Sequence, residues 1–216
     1  MQTATRDGRS ARWDAHRAAR RRALVDAALA AIGRHGPTAA MDDIAAEAAT
    51  SKTVLYRYFA DREQLHVAVS ARVAERLLAQ LEAAISGLTR PRDVVAAAIG
   101  AYLEFIERDP AVYRFVVHQP FAATVDDPDP VAGLSRVIGE HATALVEARL
   151  EAAGRDTTPA AIWAHGFVGM VREAADHWLA QPERVPRAVL ADQLTTFVWH
   201  GAEALLRPVA DQPRSH

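Results

Sequence analysis

Apolar residues recur at spacings of three and four along nearly the whole chain, a period that is typical of amphipathic α-helices. The clearest case follows Asp61, where an aliphatic residue stands at every fourth position: Leu65, Val69, Val73, Leu77, Leu81 and Ile85. Aspartate is a good N-cap, and the helix that begins here would span about 30 Å at about 1.5 Å per residue. Alanine is abundant and no segment alternates convincingly like a strand, so the sequence predicts an all-α protein.

The predicted helices form a group of short ones followed by a group of long ones. A first helix is predicted from about Asp14 to His35, where Gly36 and Pro37 end it. Two short helices follow it, predicted at 42–48 and 52–59. After the Asp61 helix come five more, predicted at 91–108, 110–118, 130–153, 159–180 and 186–207. A small three-helix unit is therefore joined to a larger helical unit through the long helix.

Composition excludes several classes of protein. The chain has 216 residues, of which 50% are hydrophobic, so it can bury a large core. The sequence contains neither an uncharged apolar run long enough for a membrane span nor an apolar segment near the N-terminus, so we expect a cytoplasmic protein. With no cysteine there are no disulfides, thiolate nucleophiles or cysteine zinc sites. We expect no metal, no cofactor and no membrane partner.

Charge is distributed unevenly. The formal net charge is -2, yet residues 1–22 contain seven arginines against Asp7 and Asp14. A basic segment on an acidic body suits phosphate contact, which depends on local positive charge. The alternative for residues 1–12 is a solvated disordered tail. We expect residues 1–13 to be a flexible basic arm.

The segment 41–59 carries the most specific pattern in the chain. Ile44, Ala45 and Ala48 would turn inward from its first helix, and Val54, Leu55 and Phe59 from its second. Two short helices held by a small apolar core make a helix-turn-helix, whose second helix enters the DNA major groove. The outward side chains would be hydroxyls and cations suited to phosphates and base edges: Ser51, Lys52, Thr53, Tyr56 and Arg57. An ordinary helical hairpin with a polar face is the alternative.

Residues 20–65 resemble the DNA-binding domain of the tetracycline-repressor (TetR) family. The family pattern is matched in order by Gly36, Ile44-Ala45, Ser51-Lys52, Leu55-Tyr56-Arg57-Tyr58-Phe59 and Arg62-Glu63-x-Leu65. The resemblance implies a helix-turn-helix DNA-binding domain at 14–62, a ligand-binding and dimerisation domain at 63–208, and a tail at 209–216. It also implies a non-enzymatic regulator that represses transcription and is released from a pseudo-palindromic DNA operator by a small molecule.

The resemblance also implies roles for single residues. Ser51, Lys52 and Thr53 would begin the recognition helix, Tyr56 and Tyr58 would reach phosphates, and Arg62 would contact phosphate from the next helix. The full candidate DNA-binding set is Arg22, Ala40, Thr50, Ser51, Lys52, Thr53, Tyr56, Arg57, Tyr58 and Arg62.

Two departures from the family pattern predict local consequences. Ala40 stands where the family has a capping threonine. Because alanine cannot cap the helix, a cap worth roughly 1 kcal/mol is lost. Ala49-Thr50 replaces Gly-Val in the turn, so Ala49 must adopt a conformation that glycine adopts more readily. The arginines at 12, 17, 20, 21 and 22 lie beyond the motif, and they could enter the minor groove or extend the first helix along the DNA backbone.

The last two long helices, at about 159–180 and 186–207, carry apolar stripes interleaved with glycine and alanine. The resemblance implies that they form a homodimer interface. It also implies a pocket for an apolar or amphipathic effector, with the candidate lining Tyr102, Phe105, Tyr113, Phe115, His118, Phe121, Trp163, Phe167 and Met170. Plain core packing is the alternative for most of these. The segments 113–121 and 176–179 resemble the corresponding segments of family members that sense acyl-CoA or fatty acids.

Two other classes of protein are the alternatives to a DNA-binding regulator. A metal-dependent enzyme would need two Glu-x-x-His motifs and two further glutamates, and Glu173, Asp176, His177, His200 and Glu203 do not supply that set. The chain also has no phosphate-binding glycine-rich loop or nucleophile elbow, so no catalytic residue is predicted. A helical lipid carrier is the second alternative, and site-specific DNA binding would exclude it.

Overall fold

The computed structural model describes the backbone of residues 4–118 and 130–206, and side chains within 13–117 and 136–201. All regular elements in these ranges are helices, which confirms the all-α prediction. They are α1 (Ala4–His35), α2 (Met41–Glu47), α3 (Lys52–Tyr58), α4 (Arg62–Ile85), α5 (Pro91–Arg108), α6 (Pro110–His118), α7 (Pro130–Ala152), α8 (Ala160–Ala180) and α9 (Arg187–Leu206).

Helix α1 begins well before its predicted start. The prediction placed the first helical residue near Asp14 and a flexible arm before it, but the helix starts at Ala4. Apart from Gly8, the segment 4–13 has no strong helix breaker, and its alanines and arginines are good helix formers. The apolar stripe that predicts this helix begins only at Leu24 and gives no signal for the earlier start.

The predicted helix ends agree with the hydrogen bonds of the structure. Gly36 ends α1 with φ of 86°, in the left-handed region that glycine favours. The Ser51 hydroxyl accepts a hydrogen bond from the Val54 N–H at 3.3 Å and caps α3. The Asp61 carboxylate accepts one from the Gln64 N–H at 2.7 Å, as predicted for the start of α4.

The chain forms two compact units that divide within α4. The first extends to Val73 and resumes at Asp109, so it contains α1 to α3, the start of α4, and α6. Its core consists of fully buried aliphatic and aromatic side chains, among them Leu24, Ile32, Leu55, Phe59, Leu65, Val69 and Phe115. Buried His66 of α4 bonds through Nε2 to the Phe115 carbonyl oxygen at 3.1 Å and joins α6 to this core.

The second unit contains Ala74–Arg108 and the helices α7 to α9. Helix α7 packs along α8, and α5 packs along α9. The approach of α7 to α8 is close at Gly139, where an added Cβ would lie 2.6 Å from Nε2 of His165.

A buried tryptophan fixes the connection between α8 and α9. Trp178 donates a hydrogen bond from Nε1 to the Val185 carbonyl oxygen at 2.8 Å, and the Arg184 guanidinium lies 4.7 Å from its ring centroid. Arg184 and Arg187 both pair with Glu107 of α5, at 3.4 and 2.9 Å.

In the described ranges, no helix is both long and apolar enough to cross a membrane.

Candidate nucleic-acid interface

Helices α2 and α3 are held together by a small apolar core and a hydrogen-bonded turn. Ile44 and Ala45 of α2 are buried, as are Leu55 and Phe59, the latter as the residue that follows α3. The Thr50 N–H donates to the Ala45 carbonyl oxygen at 2.9 Å and closes the turn between the two helices. The predicted inward positions are therefore confirmed, except that Ala48 and Val54 are only half-buried.

The opposite face of α3 is exposed to solvent. It presents two hydroxyls, two cations and a phenol from Ser51, Lys52, Thr53, Tyr56 and Arg57. Tyr56 is 43% exposed although it is aromatic. A rigid short helix with this outer face has the donors that phosphates and base edges accept.

Lys52 is paired with a carboxylate that the sequence did not single out. Its Nζ donates to Oδ2 of Asp42, in α2, at 2.9 Å. The hydrogen bond to Asp42, reinforced by the attraction between the two charges, raises the pKa of Lys52 above its usual value. The ten-residue separation gave no signal for this pair, because it follows from the angle between the two helices.

The start of α2 shows the predicted missing cap. Ala40 occupies the N-cap position and offers no side-chain acceptor to the first turn. The Ala40 N–H itself donates to Oδ2 of Asp43 at 2.8 Å, so half of a capping box remains. The beginning of α2 is therefore less well satisfied than that of α3.

The turn shows the predicted backbone cost as well. Ala49 has φ of 48°, and it is the only described residue other than glycine with a positive φ. The left-handed conformation costs an L-residue with a Cβ roughly 1–2 kcal/mol. The turn is thus formed with the geometry of a glycine turn but without the glycine.

Replacing Ala49 with glycine is therefore expected to stabilise the protein. Ala49→Gly removes the left-handed cost but adds unfolded-state entropy, so the expected net gain is about 0.5–1 kcal/mol in the free energy of unfolding. Urea titration followed by far-UV circular dichroism measures it. Ala46→Gly, at an exposed position inside α2, is the matched control and should lose about 1 kcal/mol. A loss in both variants would contradict this account.

The remaining candidate DNA-binding residues lie around α2 and α3. Arg22 of α1 and Ala40 are exposed, while Thr50, Tyr58 and Arg62 are half-buried. Arg34 of α1 forms an ion pair with Glu47 of α2, which ties the first helix to the motif. All of the candidate DNA-binding residues thus belong to the first compact unit.

The candidate ligand-binding residues are divided between the two units. Tyr113 and Phe115 are buried in the first, and the Phe115 ring lies 4.9 Å from that of His66. The second unit contains half-buried aromatic and thioether side chains from Tyr102, Phe105, Trp163, Phe167 and Met170. The His118 side chain and Phe121 lie outside the described residues. Neither unit by itself contains the whole predicted lining.

Helices α8 and α9 leave apolar side chains in solvent. Ile162 of α8 is 75% exposed and Phe197 of α9 is 72% exposed. Exposed glycines follow each of them by four residues, at Gly166 and Gly201.

In the described part of the chain, no group of three histidine or carboxylate side chains is placed to hold a metal ion.

Comparison with known families agrees with this geometry. Residues 24–69 match the model for bacterial regulatory proteins of the tetR family, and residues 80–214 match the tetracyclin repressor-like C-terminal domain. The chain belongs to the TetR family of transcriptional regulators.

Three relatives show the range of the family around this chain. An HTH-type transcriptional regulator of Mycobacterium tuberculosis strain H37Rv is 36% identical over 202 residues, covering 91% of this chain and 83% of the relative. The transcriptional activator FasR of Mycolicibacterium smegmatis is 28% identical, covering 82% and 80%. The transcriptional repressor LfrR of the same species is 29% identical, covering 87% and 92%.

Solved structures share the fold at low sequence identity. A tetR-family regulator from Streptomyces coelicolor superposes with a TM-score of 0.64 at 20% identity, covering 91% of this chain and 90% of that one. FadR from Bacillus subtilis, in complex with stearoyl-CoA, gives 0.67 at 13%, covering 82% and 96%. LfrR, from Mycobacterium smegmatis and in complex with proflavine, gives 0.59 at 24%, covering 84% and 96%.

Proposed function

We propose that this protein is a transcriptional repressor that binds a pseudo-palindromic operator as a homodimer and is released by an apolar or amphipathic small molecule. The observation that carries the proposal is the outer face of α3, where a buried core fixes the helix and leaves its cations, hydroxyls and Tyr56 exposed. Members of the TetR family bind DNA operators, form dimers and bind small-molecule ligands.

In the proposed complex, α3 lies in the major groove and each exposed group has its own task. Ser51, Thr53 and Arg57 donate to base edges or nearby phosphates, and the Tyr56 hydroxyl donates to a phosphate. Lys52 exchanges the Asp42 carboxylate for a phosphate oxygen. Contacts with the DNA backbone on either side of α3 would come from Tyr58, Arg62 and Arg22, which position the unit. The set is completed by Ala40, just before α2, and by Thr50, at the end of the turn.

The homodimer would use the exposed faces of α8 and α9. Ile162 and Phe197 place large apolar side chains in water on a single protomer, and a twofold contact would bury them. Gly166 and Gly201, four residues further along, leave room for close approach of the partner's helices. A twofold dimer reads half-sites about 34–36 Å apart, or a multiple of that spacing.

The effector class rests on the chemistry of the aromatic candidates and on the relatives. Tyr102, Phe105, Trp163, Phe167 and Met170 offer aromatic and thioether surface with few charges, which suits an apolar or amphipathic molecule. FadR is solved with stearoyl-CoA and LfrR with proflavine, and both ligands have large apolar parts. Binding would favour the conformation in which the two recognition helices no longer fit successive major grooves.

The proposal is tested by fluorescence anisotropy at fixed salt, with the DNA upstream of the protein's own gene and a scrambled duplex of equal length. Lys52→Ala and Tyr56→Ala are each expected to weaken operator binding by about 1–3 kcal/mol, or roughly 5- to 150-fold. Arg108→Ala is the matched control because Arg108 is also an exposed cation in an ion pair, with Glu104 at 3.3 Å, but lies in the second unit. The affinity of Arg108→Ala for the operator should stay at the wild-type value.

Equal, weak binding of the wild-type protein to both duplexes would reject the proposed repressor and favour the alternative of a lipid carrier.

The direction of regulation is measured by transcription in vitro from a promoter that contains the operator. Addition of the wild-type protein should lower the transcript level; an increase, as the name of FasR would suggest, would overturn repression while leaving DNA binding intact.

A further inference from the structure

We propose that the N-terminal half of α1 is a second DNA-binding surface, which contacts the phosphate backbone beyond the segment bound by α3. The surface consists of Trp13, Arg17 and Arg20, and it is called the α1 extension below. The inference rests on the proposed DNA binding and extends it to a part of the chain that lies before the helix-turn-helix motif.

The α1 extension lies in line with the core-facing side of the same helix. Trp13, Arg17, Arg20 and Leu24 follow one another at spacings of three and four, so they share one face of a continuous helix. Leu24 is completely buried in the first unit, whereas Trp13 is 70% exposed and Arg17 is exposed. Arg20, between them, is half-buried, so the face that packs on the core at Leu24 passes into solvent at Arg17 and Trp13.

The α1 extension begins beside the recognition helix. The guanidinium of Arg21 lies 4.8 Å from the ring centroid of Phe59, which is the residue that ends α3. Helix α1 continues from there to Ala4, a rise of about 26 Å for seventeen residues at about 1.5 Å each. That length matches about seven phosphates along one strand at about 3.4 Å each.

Charge identifies the kind of partner. Between residues 13 and 22 the chain has four arginines and His16 against one carboxylate, Asp14. No ion pair joins Arg17, Arg20 or Arg22 to any described side chain, whereas Arg34 and Arg72 of the same unit pair with Glu47 and Asp26. Four cations on two turns of helix repel one another until a polyanion neutralises them, and guanidinium groups form strong paired hydrogen bonds with phosphate.

An anionic membrane would also attract a basic helix, but the apolar content favours DNA. A helix that lies in a bilayer surface needs large apolar residues along one face. Residues 4–23 contain a single large apolar side chain, that of Trp13. The attraction is therefore predominantly electrostatic, as expected for contact with a phosphate backbone.

The test measures how operator affinity depends on salt. Arg17→Gln/Arg20→Gln removes two cations and leaves Arg21 on Phe59; the matched control is Arg108→Gln/Arg136→Gln, two exposed arginines of the second unit. Because each phosphate contact contributes about 0.9 to the slope of log K against log salt, the slope should fall by nearly 2 for each bound protomer. The control should keep the wild-type slope. Circular dichroism checks that both variants remain folded.

A second duplex, trimmed so that it ends at the half-sites, locates the contacts. The affinity lost by Arg17→Gln/Arg20→Gln should be several-fold on the long duplex and absent on the trimmed one, whereas Lys52→Ala should lose affinity on both. A wild-type slope for Arg17→Gln/Arg20→Gln, with Lys52→Ala still impaired, would overturn the α1 extension alone. Equal binding of the wild-type protein to operator and scrambled DNA would overturn the proposed function instead.

Vesicles of 30% phosphatidylserine provide the last arm of the test. The wild-type protein should not sediment with them at the salt concentration of the DNA assay. Sedimentation that Arg17→Gln/Arg20→Gln abolishes, together with an unchanged DNA slope, would assign the surface to a membrane and overturn the proposal.

Discussion

Phe59→Ala is expected to lower the free energy of unfolding of the first unit by about 3–5 kcal/mol, because it empties a fully buried aromatic site. Phe59 ends the recognition helix, packs in the core of the unit and supports the guanidinium of Arg21. The loss should therefore appear first in α2 and α3. Hydrogen exchange of the amides in these two helices, combined with urea titration, measures both the size and the place of the effect.

Tyr56→Ala is the matched control for this prediction. It removes an aromatic side chain from the same helix, but one that is 43% exposed, so the free energy of unfolding should change by less than about 0.5 kcal/mol. Similar losses in the two variants would show that Phe59 is not the centre of this core. Because Tyr56→Ala retains stability, its loss of operator affinity would then report contact with DNA.

Trp178→Ala is expected to cost the second unit about 3–5 kcal/mol. The indole is 4% exposed, its N–H bonds to the Val185 carbonyl oxygen, and its face supports Arg184. Removing it leaves a cavity at the end of α8 and releases the connection to α9. Urea titration by circular dichroism measures the loss, and size-exclusion chromatography shows whether the proposed homodimer is lost with it.

Trp178→Phe separates packing from hydrogen bonding. Phenylalanine keeps most of the buried volume and leaves the Val185 carbonyl without its donor, so the expected cost is about 1–3 kcal/mol and smaller than that of alanine. If Trp178→Phe and Trp178→Ala cost the same, the hydrogen bond rather than the packing would account for the effect, contrary to this prediction.

Much of the fold follows from the periodic placement of apolar residues. The start of α5 is marked by Pro91 and that of α6 by Pro110, so both helices have the predicted bounds. The start of α1 was wrong because Ala4 and its neighbours form helix through propensity alone, without an apolar stripe to mark it. Periodicity detects the buried face of a helix and gives no signal where a helix runs through solvent.

The candidate site could be predicted in part. Side chains that belong to one local motif were placed well, since Leu55 and Phe59 turn inward and Tyr56 turns outward as their spacing requires. The strain at Ala49 was also visible in the sequence, because it follows from the absence of a single glycine. Contacts between helices were not visible: neither the Lys52–Asp42 pair nor the burial of α6 in the first unit follows from spacing, because both depend on the angles at which helices pack.

The close approach at Gly139 has a consequence for how this protein can diverge. Nδ1 of His165 is bonded to the Ala161 carbonyl oxygen at 2.9 Å, which turns Nε2 towards the backbone of α7. A Cβ at position 139 would therefore displace the His165 imidazole, whereas position 165 can lose its imidazole while Gly139 is kept. The seam between α7 and α8 can therefore change most readily in one order, with a replacement of His165 before the addition of a side chain at position 139.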